Sequence, residues 1–330
     1  MMKILLVGLG YRGYTETYER ALRTLGHRVT TYVGLRQYDF ATRVRRFAQV
    51  KLPNALGANR DYFWSEQHRF RQWSRRSKTT FDLALFVNSD QLATDEILGE
   101  LSARGIQSGL WLLDDHGMSH RSALDLRSFD FLASFNPAEA DALTASLSRP
   151  CDYVPQGFAS VPEVAGRWSE RPLILGAPYP SRRLAADALT SASIPIDLVG
   201  RMWRQWVEPS SNARLFGDVS LAESVRMSSM GRICVNGHRN ADTGVSPRVF
   251  EIAGAGGLII TDNPRTYAFF EPNREMLSWS DQDELLAHVR RARTEPGFAR
   301  RVASAGHRRV MAEHTIERRF QALLAGWGFA

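Results

Sequence analysis

Short apolar runs alternate with amphipathic stretches along most of this 330-residue chain. KILLVG (3–8) is a continuous apolar run ending at glycine, which predicts a buried strand. YTETYERALRTLG (14–26) has helical spacing and HRVTTYV (27–33) is β-branched, so the three predict a β-α-β unit. Residues 40–78 read as mostly helical and polar. Strands are expected at FDLALFV (81–87), IQSGLWLLDDH (106–116), FDFLASF (129–135) and CDYVPQGF (151–158). Helices are expected over 90–105 and after Asn136-Pro137, with Asn136 as N-cap and Pro137 in the first turn.

The pattern then restarts. Residues 171–200 read as strand, loop, helix and strand, and GRICVNG (231–237) and LIITDNP (258–264) as further strands. SPRVFEIAGAGG (246–257) is a short helix closing on glycines, and 281–327 is a run of amphipathic helices. Such alternation in both halves predicts an α/β chain of two parallel-sheet domains. The boundary belongs near 157–170, where GFASVPEVAGRWSER has no periodicity.

Composition narrows the class. Hydrophobic residues make up 44% and charged residues 23%, an ordinary soluble balance. No apolar run reaches the roughly 20 residues that span a bilayer, and Gly8 cuts the ILLV run short of a signal-peptide core. A cytoplasmic protein is expected. Cys151 and Cys234 lack metal-ligand spacing and read as two reduced core thiols. The net charge of +7 favours anionic partners: phosphates, nucleic acid or an anionic membrane surface. Lys3, Lys51 and Lys78 are the only lysines, and codon composition explains this arginine bias equally well.

GLGYRG (8–13) has the G-x-G-x-x-G spacing of a dinucleotide-binding turn. Such a site needs an acid at the tip of the second strand. The tip here is Val33-Gly34; Asp39 lies too far along, and Arg36 is a weak substitute. An NAD(P)- or flavin-dependent oxidoreductase is therefore the alternative reading, not the first. The turn is expected instead to open toward a ligand cleft, with Gly8 and Gly10 shaping it and Tyr11 and Arg12 meeting acceptor or phosphates.

CVNGHRNADTGVSPRVFEIAGAGGLIITDNP (234–264) is more specific. Ser246 is an N-cap and Pro247 a first-turn residue, so the helix N-terminus aims its free N–H groups at the preceding loop. That favours an anion, with Gly244 allowing close approach and Arg248 adding forked donors. Glu251 lies one turn on and suits sugar hydroxyls. A plain capped helix with Arg248 and Glu251 solvated fits the same residues.

Three stretches, in order, resemble the CgeB-like (spore-maturation-type) glycosyltransferases, of the two-Rossmann-domain GT-B class. LILGAPYPSRRLAADAL…IDLVGRMW resembles the family's G-x-x-Y-x-x-R loop and a strand ending in G-x-x-W. SPRVFEIAGAGGLIITDN resembles its R-x-F-E-x-x-A-x-G-x-x-x-x-T-D signature, and the closing helices end in H-T-x-x-R-R. The likeness covers 150–325; the first half matches in layout and in WLLDDHG. It implies domains at 1–160 and 161–312 facing across a cleft, with a C-terminal helix (313–330) packing back on the N-terminal domain. It implies a UDP-, GDP- or dTDP-sugar donor, an unidentified hydroxyl acceptor, no cofactor and no metal at the diphosphate. By position, Gly176, Tyr179 and Arg182 (or its neighbour Arg183) line the first donor loop, and Gly200 and Arg201 lie near the base or ribose. Gly244, Ser246 and Arg248 hold the diphosphate, and Glu251 the ribose. Many retaining relatives carry a second glutamate eight positions earlier; here that position is Thr243, which removes one argument for retention of configuration.

Activation of the acceptor calls for a carboxylate or imidazole at an N-domain strand tip. Asp115 or His116 is the expected base, supported by Asp114; a helix cap or loop network fits them too. His238 is a second candidate. DYFWSEQHRFRQWSRRSK (61–78) interleaves arginines with aromatics. Phe63, Phe70 and Trp73 share one helical face, so burial is the simpler account; a nucleic-acid, membrane or other anionic acceptor is the functional one. The reading is a metal-independent GT-B glycosyltransferase with no obligate protein partner. A non-catalytic binding module is the further alternative.

Overall fold

A computed structural model describes residues 1–34, 44, 47–58, 60, 63–114, 126–159, 169–208, 212–238 and 244–329. They fall into two compact units, Met1–Pro155 with Phe320–Ala330, and Gln156–Arg319. The expected boundary at 160–161 falls at the edge of the undescribed stretch 160–168.

The first unit is built on a parallel sheet of β1 (Lys3–Leu9), β2 (Arg28–Gly34), β3 (Leu83–Val87), β4 (Gln107–Leu112), β5 (Phe131–Ser134) and β6 (Asp152–Tyr153). Their order is β2-β1-β3-β4-β5-β6. Sheets covered on both faces need strands apolar on both faces, and β3 (LALFV) is buried at every position. Helix α1 (Tyr14–Thr24) follows β1, and α2 (Trp64–Arg76) lays Phe70 on Tyr32 and Phe86. Helix α3 (Asp95–Ser102) starts later than the sequence reading places it. Thr94 caps it by accepting from the Ile97 amide, and 90–92 form a separate short turn. Helix α4 (Pro137–Leu147) is capped by Asn136, as its sequence predicts. The end of the chain belongs to this unit: Phe320 packs on Tyr18 and Trp111, and Trp327 stacks on Phe131.

The second unit repeats the plan with β7 (Leu173–Leu175), α5 (Pro180–Ser191), β8 (Ile196–Val199), β9 (Ala213–Phe216), α6 (Leu221–Ser228) and β10 (Ile233–Asn236). It continues with α7 (Pro247–Gly254), β11 (Leu258–Thr261), β12 (Leu277–Ser278), α8 (Gln282–Thr294) and α9 (Pro296–Glu313). The last helix, α10 (Ile316–Gly326), begins here. Strand order is β12-β11-β10-β7-β8-β9, all parallel. The edge strands β9 and β12 and helix α6 have no counterpart in the sequence reading; β9 buries only one of its four residues, so it lacks the apolar run that marks the others.

Cys151 and Cys234 are free and buried, and burial pushes both thiols up to about 12. Among the described residues no helix is long and apolar enough to cross a membrane.

Candidate functional site

Open parallel sheets bind ligands at the carboxyl ends of their strands, where the strand order reverses. In the second sheet the reversal lies between β7 and β10. The loop leaving β7 begins at Gly176 (φ +110), and the one leaving β8 at Gly200 (φ +135). The two are pressed together: a Cβ on Gly200 would meet the Gly176 carbonyl at 2.8 Å. Trp203, buried in the G-x-x-W stretch, donates its indole N–H to the Gly176 carbonyl at 2.8 Å. That tryptophan fixes the floor of the loop.

Two guanidinium groups converge on Gly176. A Cβ there would come within 2.6 Å of an Arg182 terminal nitrogen and 3.1 Å of the Arg248 Cζ. Arg182 is 2% exposed and donates to the Gly237 carbonyl (2.9 Å) and the Ala177 carbonyl (3.0 Å), tying the β10 tip to the β7 loop. It also lies over the Tyr179 ring at 5.1 Å. Arg248 differs. It is half-buried, and its Nε is shut from solvent with no hydrogen-bond partner. The adjacent Arg183 faces another way, its guanidinium 3.9 Å over the exposed Trp206 ring. Arg201 pairs with Asp218 at 2.6 Å on the surface.

Arg248 stands in the first turn of α7, which Ser246 caps through the Arg248 amide. Pro247 occupies the first turn, so the remaining amides there carry the positive end of the helix dipole. Gly244 is buried beside this turn, and Glu251, one turn on, is 2% exposed, so a solvated role for it is ruled out.

Asp262, at the end of β11, is a member of this group that sequence reasoning left out. It accepts from the His238 amide at 2.9 Å and from the Ser181 hydroxyl, and His238 Nδ1 lies 2.8 Å away in a bent contact. Burial alone raises such a carboxyl; these partners outweigh it and hold the group below the ordinary carboxylate range. The signal was available in the T-D that ends the R-x-F-E signature.

The first sheet reverses between β1 and β3. Gly8 lies tight against Thr15, whose hydroxyl bonds the Leu9 carbonyl, so this glycine serves helix-to-strand packing. Gly10 donates to the Gly34 carbonyl, Arg12 and Gly13 take left-handed backbone (φ 56 and 89), and Tyr11, 39% exposed, stacks on Tyr14. Asp114 accepts from the Asn88 amide group at 3.0 Å, joining the tips of β3 and β4. Asp115, His116 and Thr243 lie outside the described residues. At α2, Phe63 and Phe70 are buried and Trp73 is half-buried against the same core, and Arg71 and Arg75 pair with Glu100 on α3.

Among the described residues no cluster of three or more His, Cys, Asp or Glu side chains is placed to hold a metal ion.

Residues 182–325 match a family model described as glycosyl transferase-like. No curated protein matches the chain. The whole chain is similar in fold to a sucrose-phosphate synthase of Thermosynechococcus elongatus, with 15% identity, TM-score 0.62, and 98% of this chain and 97% of that one covered. It is equally similar to HepE of Anabaena, solved with UDP and glucose, with 12% identity, TM-score 0.62 and both chains covered in full. Two six-stranded parallel sheets flanked by helices give this chain the GT-B fold of these proteins, and its second half is similar to the glycosyl transferase-like family.

Proposed function

We propose that the chain transfers a sugar from a nucleotide-diphosphate donor to a hydroxyl acceptor without a metal ion, and that the donor binds at the β7–β10 switch point. The observation that carries this reading is the convergence of Arg182 and Arg248 on Gly176 beside the capped N-terminus of α7. In glycosyl transfer, negative charge accumulates on the departing diphosphate. Donors already aimed at that charge act without reorganising when the bond breaks. Arg182 is held by two carbonyls and sets the loop; Arg248, with its buried unpartnered Nε, meets the phosphates. Gly244 and Ser246 complete the cradle, and Glu251 takes the ribose hydroxyls.

UDP bound to HepE, and the UDP-glucose complex of the same protein, support a nucleoside-diphosphate donor. Gly176, Tyr179, Gly200 and Arg201 are proposed for the rest of the donor, as the resemblance to the CgeB-like enzymes implies, with His238 beside them; Arg183, turned onto Trp206, yields its place to Arg182. On the acceptor side we assign Gly10, Tyr11 and Arg12, with Asp115 or His116 taking the proton and Asp114 supporting them.

The test is a thermal-shift and hydrolysis panel. UDP, GDP or dTDP is expected to raise the melting temperature, and the matching sugar nucleotide to be hydrolysed slowly, with the hydrolysis lost in Arg248→Ala. Stabilisation by NADH and by no nucleoside diphosphate would sink the reading in favour of an oxidoreductase.

A further inference from the structure

One side chain at this switch point has no structural task. Asn236 ends β10 and is 2% exposed. Its backbone is fully engaged: it pairs with Thr261 across the sheet, and the Thr261 hydroxyl donates to its carbonyl at 2.9 Å. Its carboxamide is not. Nδ2 and Oδ1 are both shut from solvent, and neither has a hydrogen-bond partner. The next two residues are held in place. Gly237 gives its carbonyl to Arg182, and the His238 amide bonds to Asp262. The amide therefore sits one residue before the Gly237 carbonyl that Arg182 holds, buried and without a partner.

A buried polar atom without a partner is destabilising, and native proteins keep few of them. A carboxamide offers two N–H donors and an acceptor oxygen. The group that completes it must give and take hydrogen bonds at once. A phosphate oxygen can only accept, so it satisfies Nδ2 and repels Oδ1. Neighbouring hydroxyls do both. Ile233 and Val235 belong to one core cluster of the unit, so strand alternation turns Asn236 to the opposite face, the one shared with Cys234.

We infer that Asn236 binds hydroxyls of the sugar being transferred and so takes part in selecting the donor's glycosyl group. This rests on the donor site proposed above. The phosphates fall to Arg248 and the α7 N-terminus; Asn236 reads the neutral, hydroxyl-bearing part.

The experiment titrates wild type, Asn236→Ala and Asn236→Leu with UDP against UDP-glucose, GDP against GDP-glucose and dTDP against dTDP-glucose. For the pair that wild type binds, the variants are expected to hold the diphosphate within about twofold and to lose about tenfold or more on the sugar nucleotide. Equal loss on both would put the amide on the base or the phosphates and overturn the inference; so would no loss on either. The unliganded melting temperature is a second readout. Removing an unpartnered buried amide is expected to leave it unchanged or raise it in Asn236→Leu, and a fall would show a structural role instead. If wild type binds none of the nucleotides, the donor-site reading fails first and carries this one with it.

Discussion

The guanidinium of Arg182 occupies the space in which Gly176 would carry a side chain: a Cβ on Gly176 would lie 2.6 Å from its terminal nitrogen. The loop backbone there is left-handed, with φ +110. Gly176→Ala thus suffers twice, from a strained backbone and from a displaced arginine. The strain alone costs about 1–3 kcal/mol. The expected outcome is a lower melting temperature together with loss of nucleotide binding, measured by calorimetry on the same sample. Binding that survives unchanged would separate this loop from the donor site.

Arg182 and Arg248 approach the same glycine but do different work, and their variants are expected to separate. Arg182 is buried and bonded to two carbonyls. Arg182→Ala leaves both acceptors unmet and is expected to cost about 3 kcal/mol of folding stability. Arg248 is half-buried with an unpartnered Nε. Arg248→Ala is expected to leave stability within about 0.5 kcal/mol while lowering turnover about 100-fold or more. Chemical denaturation and a donor-hydrolysis assay on the pair distinguish the roles.

These two residues also mark how far the sequence could be read. The strands were visible because a sheet covered on both faces forces runs such as LALFV and LIIT. The Ser246-Pro247 cap was visible because helix starts have local chemistry. The choice between Arg182 and Arg183 was not, since neighbours on a helix point about 100° apart and only the packing of α5 decides which faces the loop. Asn236, unlike Asp262 with its T-D motif, was hidden for a related reason. Whether a polar side chain is buried, and whether it has a partner, depends on strands and loops far away in the chain. The edge strand Ala213–Phe216 escaped because half-exposed edges lack the apolar run that marks central strands.

At the start of the strands in the second unit, away from the glycine loops, Asp197 accepts from both Arg171 (2.9 Å) and Arg232. The Arg232 and Asp197 side chains are only 2% and 6% exposed. Removing the carboxylate charge leaves a buried guanidinium without its counter-charge. Asp197→Asn is expected to cost about 3–5 kcal/mol, read as a shift in the denaturation midpoint. Nucleotide affinity of the folded fraction is expected to stay within about twofold. A larger change in affinity would connect this network to the opposite edge of the sheet.

His314 gives the chain a pH signature. The residue is 8% exposed and ringed by Phe250, Phe269 and Phe270. Its Nε2 faces the Phe269 carbonyl at 3.2 Å, and its Nδ1 faces Arg319 at 2.9 Å. That geometry fits a neutral ring that donates from Nε2 and accepts at Nδ1. Arg319 also holds the Gln156 carbonyl at 3.1 Å, and the His314 carbonyl accepts from the Phe158 amide, so this H-T-x-x-R-R segment clamps the start of the unit to its end. Burial, and then the charge of Arg319, lower the imidazole pKa below its usual 6.5. In the window from 6.5 down to the lowered folded value, the unfolded chain binds more protons than the folded one. Stability therefore rises with pH there: the contribution is complete above 6.5 and is lost as pH falls below it. The slope is at most about 1.4 kcal/mol per pH unit. His27, also lowered by burial and then by the N-terminal amine, adds a slope of the same sign. The comparison that isolates His314 is wild type against His314→Gln, unfolded by urea between pH 7.5 and 5. The variant is expected to be less stable at pH 7.5 and to lose less on acidification. Parallel curves would mean that the imidazole charges equally in both states, and that the clamp is indifferent to its proton.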